Sequence, residues 1–202
     1  MGLPAERKEC SVGEYLALER GSEDRYEYVD GEIYLMAGES VEHADISSNL
    51  LSEFHGQLKG TPCRAWTKDM KVRSGPLPTA RTTTKGLYSH PDIVIVCGEP
   101  QFLDEHKDVL LNPKVILEVL SPSTESFDRG GKFWRYRTWN ETLTDYVVVA
   151  QDGVFVEHFT RGLEGTWSIA ATYTELDQAL DLPCIRARVP LSDIYDRVYS
   201  NS

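Results

Sequence analysis

Two carboxylates stand inside otherwise apolar runs, Asp92 in His90-Pro91-Asp92-Ile93-Val94-Ile95-Val96 and Glu118 in Lys114-Val115-Ile116-Leu117-Glu118-Val119-Leu120. An acid bounded by β-branched residues is costly to bury unless a cation sits beside it. If the two runs are neighbouring strands, both carboxylates reach one hard cation, and the Val119 main-chain carbonyl offers a third oxygen. Oxygen-only ligation with room for water suits Mg²⁺ or Mn²⁺ better than zinc. An ion held this way lowers the pKa of a bound water and neutralises charge on a phosphoryl oxygen, which is metal-assisted phosphodiester hydrolysis.

That chemistry gains from a lysine that orients the nucleophile or meets developing charge. Position 120, on the same strand face as Glu118, is Leu120. The following helix offers Lys132 instead, and i, i+4 spacing puts Asp128, Lys132 and Tyr136 on one helical face. A helix-surface lysine paired only with Asp128 fits the same spacing. Asp92 alone is also compatible with a solvated strand end. Glu118, with Ile116 and Leu120 on its own face, is harder to place in solvent.

The elements that must position these groups are legible in part. Ser11-Val12-Gly13-Glu14 fits a capping box and predicts a short helix from about Val12 to Glu19. Asp30-Gly31 between Tyr26-Glu27-Tyr28-Val29 and Glu32-Ile33-Tyr34-Leu35-Met36 predicts a β-hairpin. Val41, Ile46, Leu50, Leu51, Phe54 and Leu58 recur at helical spacing between an N-cap at Ser40 and the stop Gly60-Thr61-Pro62, so a core helix is expected there. Strands follow at about Cys63 to Trp66 and Met70 to Arg73. The Pro/Thr/Gly-rich stretch from Ser74 to Gly86 reads as a mobile loop of functional length.

The Asp92 and Glu118 runs then read as central strands of a sheet covered on both faces. A helix from about Asp128 to Trp139 and strands at Tyr146 to Ala150, Val154 to Phe159 and Trp167 to Tyr173 complete the order. The expected class is mixed α/β, a central mixed sheet flanked by helices, with an N-terminal hairpin and a β-rich C-terminal tail. One domain over residues 1–202 is expected, its core at about 26–160.

The four cysteines, Cys10, Cys63, Cys97 and Cys184, form no C-x-x-C pair and read as small buried hydrophobes. No histidine shows H-E-x-x-H or H-x-E spacing, which speaks against a histidine-based metalloprotease or a deaminase. Trp66, Trp134, Trp139 and Trp167 read as core aromatics. No run approaches a membrane span, and the first residues lack a signal-peptide core, so a cytoplasmic protein without a membrane partner is expected.

The net charge of −11 disfavours a polyanionic partner, but its distribution is uneven. Lys and Arg minus Asp and Glu give 5 − 13 = −8 over residues 1–60, 6 − 1 = +5 over 61–90 and 4 − 1 = +3 over 126–140. Both basic stretches flank the acid-bearing runs. Arg73, Arg81 and Lys85, with Arg129 and Tyr136 further on, are candidates to hold a nucleic-acid backbone. Chance clustering on a solvated surface accounts for the same numbers.

Pro91-Asp92, then Glu118-Val119-Leu120-Ser121-Pro122-Ser123-Thr124, then Asp128, Lys132 and Tyr136, resemble the signature of the Uma2 family of bacterial restriction endonucleases, a branch of the PD-(D/E)XK nuclease superfamily. The Glu-Val-Leu-Ser-Pro-Ser-Thr block is its specific part. The hairpin from Tyr26 to Tyr34, with His43 opening the core helix, is similar to that family's N-terminal part, and the likeness spans roughly Tyr15 to Trp167. It implies a restriction-endonuclease-like core, a divalent metal on Asp92 and Glu118, and a motif lysine that has migrated to Lys132. It also implies Glu27 as the extra acid that completes the site, His43 among the nucleic-acid contacts, DNA first among substrates, and a homodimer. Leu120 departs from the parent superfamily's lysine, so a nuclease-fold module that binds nucleic acid or protein without cutting is the alternative.

Overall fold

The computed structural model describes residues 10–77, 79 and 83–199. It begins with α1 (Val12–Arg20), capped as expected: the Glu14 amide donates to Ser11 Oγ while the Glu14 carboxylate accepts from the Ser11 amide. Strands β1 (Tyr26–Val29) and β2 (Glu32–Leu35) form the hairpin. Asp30 at φ +48° and Gly31 at φ +102° supply the left-handed pair that a two-residue turn requires. Helix α2 (Val41–Leu58) starts from Ser40, whose hydroxyl accepts the His43 amide.

Then come β3 (Cys63–Thr67), β4 (Lys71–Ser74), β5 (Leu87–Ser89), β6 (Ile93–Cys97), β7 (Val109–Leu110) and β8 (Val115–Leu120). A helical stretch follows, α3 (Glu125–Phe127), a π turn at Asp128–Lys132 and α4 (Phe133–Trp139). The chain continues through β9 (Asp145–Ala150), β10 (Val156–Arg161), β11 (Trp167–Tyr173) and β12 (Ala179–Leu182) to a 3₁₀ turn at Pro183–Ile185, β13 (Ala187–Pro190) and α5 (Leu191–Ile194).

A six-stranded sheet in the order β11-β10-β9-β8-β6-β3 carries both acid-bearing runs side by side at its centre. It is mixed, antiparallel except for the parallel β8–β9 pair. One face takes Ile46, Leu50, Phe54 and Leu58 of α2 together with β13 and α5; Ile93, Ile95, Leu117 and Val119 point into that layer. The other face takes Phe133 and Tyr136 of α4 and Val72 and Leu87 of the second sheet, against Val94, Ile116, Leu120 and Val148. Every residue of β8 and β9 is buried, which is why these strands read as continuous apolar runs.

The second sheet, β2-β1-β5-β4-β7, packs Tyr28 and Tyr88 against Tyr15 of α1. Beneath it, Glu19, Arg20, Lys71 and Asp108 form an ion network, with Lys71 Nζ 2.5 Å from Glu19 Oε2 and 3.1 Å from Asp108 Oδ2.

Several expectations are corrected. β5 and β7, three and two residues long, are too short to show a period in sequence. The helix expected from Asp128 begins at Glu125 and is interrupted by the π turn. Val41 is 74% exposed, ahead of the apolar stripe it was expected to open, and Trp134 and Trp139 are 49% and 44% exposed rather than core. Cys63 and Cys97 are directly opposed in the β3–β6 ladder and joined as a disulfide, leaving Cys10 and Cys184 as thiols. Thiol titration of the unreduced, denatured chain is therefore expected to find two reactive groups, and four after reduction. Cys63→Ser/Cys97→Ser should lower unfolding free energy by about 2–4 kcal/mol.

Candidate active site

The antiparallel register Ile93↔Leu117 sets position 92 opposite position 118. Asp92 stands one residue before β6, where that strand no longer bonds β8, and its Oδ2 accepts the Val119 amide at 2.7 Å in place of a ladder partner. The carboxylate is thus fixed beside Glu118 by a main-chain bond. Its Oδ1 lies 2.9 Å from His43 Nε2, on the first turn of α2. Between two apolar-run acids 26 positions apart, the sheet has made one site.

Lys132 reaches it from the π turn. Its Nζ is 3.2 Å from Glu118 Oε1, 3.1 Å from Glu27 Oε1 and 3.2 Å from Asp128 Oδ1. The wide turn at Gly130-Gly131 lets Asp128 and Lys132 point inward together, and a Cβ at Gly131 would stand 3.0 Å from the Phe127 ring, a tight fit. Tyr136, one turn on, donates to Glu118 Oε1 at 3.3 Å and shares a 2.7 Å hydrogen bond with Ser89. Glu27 is held by the His90 amide at 3.3 Å.

Glu27, His43, Asp92, Glu118, Asp128 and Lys132 line a cavity of about 270 Å³ walled by residues 34–40 on one side and the turn after β8 on the other. Among the described residues, Glu27, Glu39, Asp92, Glu118 and Asp128 bring five carboxylates to its lining, against Lys132 alone among lysines and arginines. Burial, with Asp128, Asp92 and Glu27 adding repulsion that Lys132 only partly offsets, raises the Glu118 carboxyl well above its usual range. For Lys132 burial works the other way, but Glu118, Glu27 and Asp128 outweigh it and keep the ammonium charged. His43 is likewise raised: burial opposes protonation, and the Asp92 hydrogen bond and charge prevail. Asp128 Oδ1 is buried and, although near Lys132, accepts no aligned hydrogen bond. An excess of buried carboxylate oxygen, one atom of it without an aligned hydrogen-bond donor, suits a divalent cation.

The structure thus gathers Asp92, Glu118, Val119, Lys132, Glu27, His43 and Tyr136 in one place. His43 and Tyr136, expected among nucleic-acid contacts, are interior groups of the carboxylate cluster, 8% and 0% exposed. Arg73 is buried as well, its guanidinium donating to Tyr88 Oη and to the Pro76 carbonyl, so it presents no charge to a backbone. Arg129 is paired with Glu125 and Glu157. Lys85 is exposed beside the hairpin turn, and Arg81 lies outside the described residues. Glu39 and Asp128 were not foreseen as members of the lining. The spacing of Glu39 and His43 across the N-cap Ser40 is the signal that could have found the first.

Comparison with known proteins shows the family and the fold. A solved structure described as "a putative nuclease belonging to DUF820" from Anabaena variabilis superposes with a TM-score of 0.72 at 17% identity, covering 94% of this chain and 99% of that one. Two Synechocystis proteins, both described as uncharacterized, are similar in sequence. The protein slr1290 is 35% identical over 79% of this chain and 78% of its own length, and sll1609 is 30% identical over 83% and 89%. Residues 12–191 match the family model Uma2, described as "Putative restriction endonuclease". With a nuclease-like fold, two sequence relatives and a family match across nearly the whole chain, the protein belongs to the Uma2 family.

Proposed function

We propose that this chain is a divalent-metal-dependent endonuclease that hydrolyses phosphodiester bonds, with DNA its first substrate. The observation that carries the reading is the convergence of Asp92, Glu118 and Lys132 on one cavity, from two strands and a π turn. Asp92, Glu118 and the Val119 carbonyl are the groups that would hold Mg²⁺ or Mn²⁺. When bound, the ion supplies an acidified water and charge neutralisation at a phosphoryl oxygen.

The chain's own residues do the rest. Lys132 occupies in space the role that Leu120 cannot fill, with a fixed positive charge beside the Glu118 carboxylate. It can orient a nucleophile or meet negative charge on the phosphate. Glu27 holds Lys132 from the far side, and Tyr136 fixes Glu118 Oε1 through a bond braced by Ser89. Among the described residues no helix is long and apolar enough to cross a membrane. We take the protein to work in the cytoplasm as one domain, paired as a homodimer if it cuts both strands.

The test is incubation of the protein with plasmid, single-stranded DNA and RNA, in Mg²⁺, Mn²⁺ or chelator, beside Glu118→Ala and Asp92→Ala. Cleavage is expected only with a divalent ion and only in the unsubstituted protein. Identical traces for all three would overturn the assignment. Salt-dependent binding without any cleavage would favour the non-cutting module instead.

A further inference from the structure

We infer that the outer face of α4 is a stacking platform for unpaired bases, so that the strand led to the cavity is single-stranded nucleic acid. The inference rests on the reading of that cavity as a phosphodiester-cleaving site. It adds a binding surface outside the cavity and the substrate class that surface takes.

Residues 129–140 carry Arg129, Lys132, Arg135 and Arg137 and no acid, in a chain of net charge −11. Lys132 and Arg129 are taken up by carboxylates near the site. Arg137 is exposed, and among the described residues its partner is the Phe133 ring, with the guanidinium carbon 5.5 Å from the centroid, rather than a carboxylate. Arg135 pairs with Asp30 at the hairpin turn, where the exposed Lys85 adds a second positive charge. The charge on this face is opposite to that of the cavity.

Trp134 and Trp139 stand among these cations. Phe133 and Tyr136 take the inner face of the helix, and i, i+4 spacing of Trp134 with Thr138 and of Arg135 with Trp139 makes the remainder one outer face. The indoles are 49% and 44% exposed. A lone exposed hydrophobe needs no account, but two tryptophans interleaved with arginines on a seven-residue helix match what a nucleic-acid strand offers, flat bases and phosphates in alternation. Bases stacked in a duplex have both faces covered by their neighbours, so only an unpaired strand can use indoles this way.

The platform is continuous with the site. Lys132 pairs with Glu27 at 3.1 Å, and Arg135, three residues on, pairs with Asp30, three residues on in the hairpin, so helix and hairpin run side by side from the cavity to the platform. Tyr34, opposite Glu27 in that hairpin, belongs to the cavity wall. A strand laid along this seam passes from the tryptophans to the carboxylates.

Binding is measured in chelator by anisotropy of a labelled single-stranded DNA of about 15 nucleotides, of its RNA counterpart, and of the same DNA as a blunt duplex. The single strands are expected to bind at least about tenfold more tightly than the duplex and to quench tryptophan fluorescence. Trp134→Ala and Trp139→Ala should each weaken single-strand binding about 5- to 150-fold and leave duplex binding unchanged. Both side chains are exposed, and circular dichroism checks that the variants fold. Arg137→Ala should reduce the salt slope of binding by about 0.7. Equal affinity for strand and duplex, no binding to either, or single-strand binding unchanged in Trp134→Ala/Trp139→Ala overturns the platform. So does a double variant that turns a dimer into a monomer on a sizing column with its strand affinity intact, which gives the face to a second copy. Tryptophan-dependent strand binding without cleavage under any divalent ion would sink the nuclease assignment and leave the platform standing. Metal-dependent cleavage with no tryptophan dependence would do the reverse.

Discussion

Lys132→Met is expected to destabilise the protein by about 3–5 kcal/mol, the range seen when one partner of a buried ionic group is removed. The side chain is 6% exposed and its ammonium sits within 3.2 Å of three carboxylates, which themselves are 14% exposed or less. Methionine fills much of the volume, so the loss is electrostatic: Glu27, Glu118 and Asp128 are left together in the interior with no counter-charge. For a chain of this length the change corresponds to a fall of roughly 6–20 °C in Tm. Urea unfolding checks it, and the partner variant Lys132→Met/Glu118→Gln identifies its cause. Removing one of the stranded charges should return a large part of the lost stability, a coupling of the size expected inside one ionic network. A loss below about 1 kcal/mol, or simple additivity of the two substitutions, would return Lys132 to the status of a helix-surface lysine. Cleavage should stay absent in the double variant even where folding recovers, which separates the structural need for the ammonium from its chemical one.

How Lys132 reaches the site also shows where sequence reading ends. Its spacing from Asp128 and Tyr136 was visible as a helical face, and all three do turn inward. The π turn that presents them was not visible as such, although Gly130-Gly131 lies in it and a Cβ at Gly131 would crowd the Phe127 ring. The acid-bearing runs were legible because two buried faces force an unbroken apolar strand, and any interruption by a carboxylate stands out. Their adjacency was an inference from chemistry, and the register supplied it by setting 92 opposite 118.

Other features had no local signal to read. His43 meets Asp92 only because α2 crosses the end of β6, a tertiary fact that helix spacing does not encode. Cys63 and Cys97 pair because two strands 34 residues apart share a register, while each cysteine by itself looks like a small hydrophobe. Arg73 was read as a surface cation from the charge of its segment. In β4 its guanidinium instead lies over the Tyr88 ring and bonds inside the fold, so a cluster of positive residues in sequence need not be a positive patch in space.

Glu118→Gln is expected to abolish metal-dependent cleavage and, in the metal-free protein at neutral pH, to raise stability. The substitution keeps the shape of the side chain and removes one charge from a cavity lined by five carboxylates and one lysine. The pH dependence gives the sign. Burial, the largest cause, and repulsion from neighbouring acids raise the folded-state pKa of Glu118 above its unfolded value near 4.3. The unsubstituted protein therefore loses stability as pH rises from that value through the folded pKa, because the unfolded chain gives up the proton first. The gap between Glu118→Gln and the unsubstituted protein should be small at pH 4 and widen toward neutrality.

A divalent ion reverses the order. Mn²⁺ or Mg²⁺ at a hundred times its Kd should stabilise the unsubstituted protein by about 2.7 kcal/mol, while the variant, with a ligand missing, should gain much less. Thermal unfolding across pH, with chelator and with added ion, measures both effects in one series. A variant less stable than the parent in chelator at pH 7 would mean that Glu118 earns its place in the fold through Lys132 and Tyr136 alone. The opposite result would show that Glu118 is held among its neighbouring carboxylates at a cost to the metal-free fold, which a bound ion offsets.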